Sequence, residues 1–186
     1  MLISINMKTS MTEKIAIPSG VSCELEAGKL TCSKNGVSVS RSMLIPRTVT
    51  EIKGNEIILS CKKGNKKEYK TIKSYIAHIN NLFSGLDKKA VYELEACNVH
   101  FPITMKVDSG RLLINNFLGE KNPRVAVILP NVDVQLKGAK ITVTSADKDA
   151  AGQTAANIEK ATKIRNRDRR IFQDGIYIVE RPGRKD

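Results

Sequence analysis

A chain of 186 residues, 41% hydrophobic and 27% charged, is long and apolar enough to fold around one core or two small ones without metals or disulfides, which excludes a globally disordered polymer. Its 31 lysines and arginines outweigh 19 acidic residues, leaving a formal net charge of +12; such an excess repels itself in a compact monomer and is relieved most simply by a polyanion, with nucleic acid ahead of an acidic membrane surface. With no tryptophan, four tyrosines and four phenylalanines, few platforms exist for stacking single-stranded bases, so contact with RNA would run through phosphates and the shape of folded RNA.

Residues 1–12 show no sustained alternation and read as an N-terminal extension. They lack the basic start and continuous apolar stretch of a secretory signal, and no run approaches the roughly 20 apolar residues of a membrane span, so a cytosolic chain with no membrane partner is expected. Residues 21–25, 29–33 and 37–41 alternate as strands around Ala27-Gly28 and Asn35-Gly36, the latter a strong tight-hairpin dipeptide, and a further strand over 56–62 follows Gly54-Asn55. The period then changes: Ile72, Ile76, Ile79, Phe83 and Leu86 share one helical stripe, with Lys70, Lys73 and His78 opposite and an end expected near Ser84.

A second round opens near Lys88. Strand-like runs over 91–99, 103–107, 111–114, 125–129, 132–136 and 141–144 precede a helix over about 148–164, with Asp147 and Asp149 at its start and Ala151, Ala155, Ile158 and Ala161 or Thr162 on one side. A last strand covers 174–179. Lys53-Gly54-Asn55-Glu56-Ile57-Ile58-Leu59-Ser60 overlays Lys137-Gly138-Ala139-Lys140-Ile141-Thr142-Val143-Thr144 at a constant offset of 84, and a helix follows each. The expectation is an α+β chain of two tandem repeats, each a mainly antiparallel sheet packed against a helix: a first domain over 13–86 and a second over 87–186 with a basic C-terminal segment.

Basic residues gather in two places. Lys62, Lys63, Lys66, Lys67, Lys70 and Lys73 surround Glu68, a run that is either a solvated loop or a second RNA contact. Lys160, Lys163, Arg165, Arg167, Arg169 and Arg170 surround Asp168, and this cluster is the stronger candidate because the planar guanidinium grips phosphate bidentately and stacks on bases. No catalytic constellation assembles: His78 and His100 stand beside no nucleophile turn, and the pairs Glu24/Glu26 and Glu93/Glu95 read as solvated strand faces. Neither a Walker spacing nor a G-x-G-x-x-G occurs. Cys23, Cys32, Cys61 and Cys97 form no C-x-x-C and read as buried free thiols rather than a metal site. No enzyme activity, metal or cofactor is expected.

The second half carries His100-Phe101-Pro102-Ile103, Asn116-Phe117-Leu118-Gly119-Glu120-Lys121, Gly152-Gln153-Thr154-Ala155-Ala156-Asn157-Ile158, Lys163-Ile164-Arg165-Asn166-Arg167-Asp168 and Asp174-Gly175-Ile176-Tyr177; the first half carries the segment from Thr71 to Leu82. With these motifs in this order, the chain from about Ile15 to Pro182 resembles the universal large-subunit ribosomal protein six family, in the archaeal and eukaryotic form called ribosomal protein nine in eukaryotic cytosol. The resemblance implies two tandem domains of shared fold and a non-enzymatic constituent of the large ribosomal subunit. It implies ribosomal RNA near the sarcin–ricin loop as partner, with neighbouring ribosomal proteins including the stalk base, and not a free homo-oligomer. Carried over by position, Lys121, Arg124, Lys163, Arg165, Arg167, Arg169, Arg170 and Lys185 would contact ribosomal RNA, while Gly119 and Gly175 serve turns or close backbone approach. Departures concentrate in the first domain, where residues 48–67 are shorter than the family's insertion, so the resemblance carries no RNA contact there. Alternatives from other classes are an RNA-processing enzyme using Glu93, Glu95 or His100, and a free-standing RNA chaperone.

Overall fold

The computed structural model describes residues 9–168 and 170–183. The chain divides between Asp87 and Lys88 into two compact units, both α+β, and every strand pairing among the described residues is antiparallel.

The first unit contains β1 (Thr9–Ala16), β2 (Ser22–Glu26), β3 (Lys29–Lys34), β4 (Val37–Ser42), β5 (Val49–Lys53), β6 (Glu56–Gly64) and α1 (Lys66–Asp87). The strands form two three-stranded sheets, ordered β1-β6-β5 and β2-β3-β4. The second is a meander whose tight turns follow from local chemistry. Ala27 and Gly28, then Asn35 and Gly36, all adopt positive φ, the twist that lets two residues close a hairpin. Leu30 and Cys32 on β3, and Ile57, Leu59 and Cys61 on β6, point inward at 2% exposure or less, and α1 packs on β3, β4 and β6 through Ile72, Ile79, Leu82 and Phe83. Asn65 and Glu68 start this helix reciprocally: the Asn65 side chain accepts from the Lys67 amide at 2.7 Å, and Glu68 accepts from the Asn65 amide at 3.0 Å.

Three features of this unit differ from the sequence reading. Residues 9–12, read as part of an extension, begin β1 and pair with the end of β6; Met11, Glu13, Ile15 and Ile17 share the inward side, but the carboxylate of Glu13, tied to Lys73 at 2.8 Å, breaks the apolar pattern. β5 is an edge strand, with Val49 exposed and only Thr50 and Ile52 half-buried, too weak an alternation to read. Helix α1 runs on through Gly85 to Asp87. A mid-helix glycine costs about 1 kcal/mol relative to alanine, less than the roughly 1.5–3 kcal/mol contributed by burying each of Leu82 and Phe83 beside it.

The second unit contains β7 (Ala90–Cys97), β8 (Thr104–Asp108), β9 (Arg111–Asn115), a 3₁₀ turn (Phe117–Gly119), β10 (Arg124–Val127), β11 (Asp133–Lys137), β12 (Lys140–Ser145), α2 (Lys148–Ala161) and β13 (Gly175–Glu180). Its sheets, β11-β12-β7-β13 and β10-β9-β8, repeat the first unit: β11-β12-β7 matches β5-β6-β1, the meander β8–β10 matches β2–β4, and α2 matches α1. The repeat read from one octet is thus a repeat of the whole topology, with β13 added beside β7. Asp147 caps α2 by accepting from the Asp149 amide at 2.9 Å. Ala151 and Ala155 let the helix approach the sheet closely; with Leu94, Leu112, Ile114, Ile141, Val143, Ile158 and Ile176 they make a core exposed by 1% at most.

Of the four cysteines, Cys32 and Cys61 are buried as expected and Cys23 is half-buried opposite Cys32, their sulfurs 2.8 Å apart. Burial pushes both the Cys23 and the Cys32 thiol up from the ordinary range and keeps them protonated. Cys97 departs from the expectation: it is exposed, because Leu94 and Ala96 take the inward positions of β7 and Cys97 falls on the outer side. Among the described residues, no helix is long and apolar enough to cross a membrane.

Truncating the inward side of α2 is expected to be costly. Ile158→Ala should lower stability by about 2–5 kcal/mol and Ala155→Leu by about 1–3 kcal/mol through overpacking, measured by urea unfolding of the full chain with far-UV circular dichroism.

Candidate nucleic-acid interface

Where the first unit closes β3–β4 with the two residues Asn35-Gly36, the second unit spends the longer loop 116–123 between β9 and β10. Asn116, Leu118 and Gly119 all take positive φ, at 58°, 50° and 75°; for leucine this conformation is strained, of order 1–3 kcal/mol, and needs support from outside the loop. Part of that support comes from the His100-Phe101-Pro102 segment. The Asn116 side chain donates through Nδ2 to the Pro102 carbonyl at 3.1 Å, and the Phe101 ring lies so close over Gly119 that a β-carbon there would stand 3.2 Å from it.

Arg124, the first residue of β10, supplies the rest. Its guanidinium forks onto Glu120 at 2.8 and 2.6 Å, donates to the carbonyls of Ala161 at 3.0 Å and Lys163 at 3.3 Å, and lies 4.2 Å from the centre of the fully buried Phe117 ring. A single side chain therefore neutralises the loop carboxylate, satisfies open carbonyls at the end of α2, and fixes where the chain leaves that helix. The guanidinium holds the Glu120 carboxyl below the usual carboxylate range, with Arg167 contributing less.

Beyond α2, which stops at Ala161 rather than near 164, the Thr162 hydroxyl donates to the Glu159 carbonyl at 3.2 Å and accepts from the Ile176 amide at 2.9 Å. That second bond ties the helix end to β13 and explains the early stop. Between these anchors the chain makes an exposed excursion. Asn166 adopts positive φ, the Arg167 guanidinium sits 4.9 Å from the Phe172 ring centre, and Asp168 accepts from the Arg170 amide at 3.0 Å and its guanidinium at 2.9 Å. Those bonds, the Arg170 side chain foremost, lower the Asp168 carboxyl from its ordinary value; Asp168 is both the hinge of a turn and the counter-charge onto which the Arg170 guanidinium forks, at 3.2 and 2.9 Å. The return is fixed by buried Asp174, which accepts from the Val99 amide at 3.4 Å, and by Tyr177, whose hydroxyl donates to the Gln173 carbonyl at 3.0 Å. Lys160, Lys163, Arg170, Phe172 and Tyr177 border a concavity of about 650 Å³ beside this segment.

Lys121, Lys163, Arg165, Arg167 and Arg170 from the expected set are all exposed, with Lys163 to Arg170 on the one excursion. Arg124 stands apart, because its donors are already taken up inside the protein. Arg169 and Lys185 lie outside the described residues. Gly119 fits its expected role at positive φ under Phe101, and Gly175 lies against the Tyr177 ring, where a β-carbon would come within 3.0 Å. The sequence reading missed Glu120, Thr162, Phe172 and Asp174. Only the four-residue spacing of Glu120 and Arg124 offered a sign of them, since the partners of Thr162 and Asp174 lie far along the chain. Among the described residues no three histidine, cysteine, aspartate or glutamate side chains gather as a metal-holding group.

The sequence model of the family described as Ribosomal protein L6 matches residues 101–175, the span that holds this construction from Phe101 to Gly175. Over nearly the full chain, three archaeal proteins named large ribosomal subunit protein uL6 are similar to it. The one from Haloarcula marismortui is 36% identical, covering 93% of this chain and 97% of its own length. Those from Methanosarcina mazei and Methanococcus vannielii are 37% and 35% identical, covering 94% and 92% of this chain and 99% and 94% of their own. A basic, duplicated α+β protein of the large ribosomal subunit is the class these likenesses define. The chain belongs to the Ribosomal protein L6 family, the uL6 proteins.

Removing the clamp should loosen the basic excursion. Arg124→Ala is expected to cost about 1.5–3 kcal/mol, the scale of hydrogen bonds to a charged group, and to speed hydrogen exchange at the Lys163 and Ile176 amides. Arg124→Lys should recover only part of this, having no fork. Because the folded carboxyl of Glu120 is depressed, its contribution is complete above the ordinary value of 4.5 and is lost as pH falls through the lower folded value. Melting temperatures of the parent chain and Glu120→Gln, compared from pH 6 to pH 3, should therefore converge on acidification.

Proposed function

We propose that the exposed segment from Lys163 to Arg170, together with Lys121 of the loop 116–123, lies on ribosomal RNA of the large subunit, and that the protein is a structural, non-catalytic constituent of that particle. The observation that carries this reading is that four exposed cations, Lys163, Arg165, Arg167 and Arg170, stand on a short excursion held at both ends by internal bonds, by Arg124 and Thr162 on one side and by Asp174 on the other. Flexible tails bind polyanions too, but they do not need such anchors; a fixed array of guanidinium groups can match a fixed array of phosphates with little further loss of conformational freedom. Arg124 acts in this reading through the segment it holds, as a positioning residue. Arg169 and Lys185, outside the described residues, stay in the proposed contact set as the family resemblance implies.

The finer placement follows the family resemblance: the segment meets ribosomal RNA near the sarcin–ricin loop, with the stalk base as protein neighbour, and its influence on factor binding is architectural. Localising the chain in a density map of the assembled large subunit tests this directly, and a segment pointing into solvent would overturn it. In solution, the logarithm of RNA affinity should fall with the logarithm of salt concentration, with a slope of about −0.7 to −0.9 per phosphate contacted. Charge reversal at Arg165, Arg167 and Arg170 should flatten that slope and weaken binding, whereas unchanged affinity would remove the basis of the reading.

A further inference from the structure

The first unit also carries a concentration of cations whose placement its own energetics do not favour. Pro46 and Arg47 occupy the centre of a turn closed by the Thr48 amide donating to the Ile45 carbonyl at 3.3 Å, and Arg47 has φ of 61°. The second central position of such a turn is normally glycine, because a side chain is strained there. Facing this turn is the end of β6. Thr9 pairs with Gly64 and Met11 with Cys61, so Lys62 and Lys63 together oppose the single residue Ser10. A bulge of this kind re-aims side chains that a regular strand would send to opposite sides, and both lysines border one concavity of about 640 Å³ with Arg47, Thr48 and Val49. Among the described residues no acidic side chain lines it, and Glu68 meets Arg47 at its border.

Helix α1 starts immediately beyond, and Arg47 reaches its first turn through Glu68 at 3.4 Å. Lys66 and Lys67 are the first two residues of that helix, where the unpaired amides already concentrate positive potential and cations are unfavourable. Lys62, Lys63, Lys66 and Lys70 have no ion pair among the described residues. Tyr69, on the exposed side of the same turn, is 45% exposed. A strained arginine, a bulge that groups two lysines and lysines on the wrong end of a helix all raise the same local potential, and an external polyanion lowers it.

We propose that Arg47, Lys62 and Lys63, continued by Lys66 and Lys70, form a second phosphodiester-binding surface on the first unit, separate from the arginine segment of the second. Its ligand is the backbone of structured RNA, with Tyr69 placed to lie against a sugar or an unstacked base. Among polyanions RNA is favoured over an acidic protein, because the concavity offers three cations for phosphates, and the exposed apolar groups there are only Val49 and the nearby Tyr69 ring. The proposal rests on the reading of this chain as an RNA-binding ribosomal protein.

The test uses the full chain, RNA extracted from large ribosomal subunits, and poly-glutamate as the competing polyanion, with affinity followed against salt. In the R165Q/R167Q/R170Q background a residual salt-dependent RNA affinity is expected. Adding R47G/K62Q/K63Q should abolish it, while in the otherwise unaltered chain R47G/K62Q/K63Q should flatten the slope by about 0.7–0.9 for each phosphate no longer neutralised. Arg47→Gly alone should weaken binding without lowering the melting temperature, since glycine relieves the strained turn, and Lys62→Arg with Lys63→Arg should bind as the parent chain does. If R165Q/R167Q/R170Q alone removes all RNA affinity, or if R47G/K62Q/K63Q leaves the slope of the parent chain unchanged, the second surface is refuted and the first stands. Loss of poly-glutamate binding without loss of RNA binding in R47G/K62Q/K63Q would assign the surface to an acidic protein and overturn the proposal. A parent chain that binds no RNA would sink both readings.

Discussion

The guanidinium of Arg124 touches three stretches that the chain brings together from 117–120, 161 and 163, and the arrangement of the second unit's basic end depends on it. Glu120 on one side and the carbonyls of Ala161 and Lys163 at the end of α2 on the other all receive its donors. The buried Phe117 ring beneath the guanidinium excludes water from one face and strengthens each bond by lowering the local dielectric. Lysine carries the same charge but has no planar fork, so it would hold one of these partners at a time. The loop 116–123, with a leucine at positive φ, and the helix end thus stabilise one another through a single residue whose guanidinium is shared between a carboxylate and two carbonyls of the protein.

The two units show how one topology yields two different surfaces. In the first, β3 and β4 are closed by two residues and the chain leaves the unit at the end of α1; in the second, the corresponding connection is the loop 116–123, and the chain returns after α2 to add β13 beside β7. Each addition brings exposed basic residues without disturbing the repeated core. The loop presents Lys121 and receives Arg124; the return path between α2 and β13 presents the arginines. β13 also covers an edge of β7 that would otherwise be open to pairing with another chain.

Much of this was legible in the residues, and the boundary between what was and was not is physical. The meander β2–β4, the strands of the second unit and the burial stripes of both helices follow from periodicity, which is local. β1 and β5 escaped because Glu13 interrupts one alternation and an exposed Val49 weakens the other. The end of α1 was misplaced because glycine's local penalty was overridden by burial of its neighbours. The end of α2 was misplaced because the Thr162 hydroxyl accepts from an amide fourteen residues away, at Ile176. Charge was legible as a quantity but not as a disposition. Arg124 and Arg165 look alike in sequence, and only the fold shows that one is committed to carbonyls 37 and 39 residues distant while the other is exposed.

That distinction bears on how basic residues in such a chain should be weighed. A cation satisfied inside the fold contributes to stability and little to external potential, because its field is largely cancelled by its partner at close range. A cation held where folding gains nothing from it contributes mostly to the potential felt by a ligand. Lys66 at the positive end of a helix is of the second kind, as are Arg165 and Arg167 on their anchored excursion, whereas Arg47, in a glycine position, is partly offset by Glu68 at 3.4 Å. The structural energy that holds them comes from elsewhere: the reciprocal cap of Asn65 and Glu68 in one unit, and the Arg124 clamp with buried Asp174 in the other. In both units a few satisfied polar groups allow their basic neighbours to remain exposed, and it is the neighbours that define the two proposed faces.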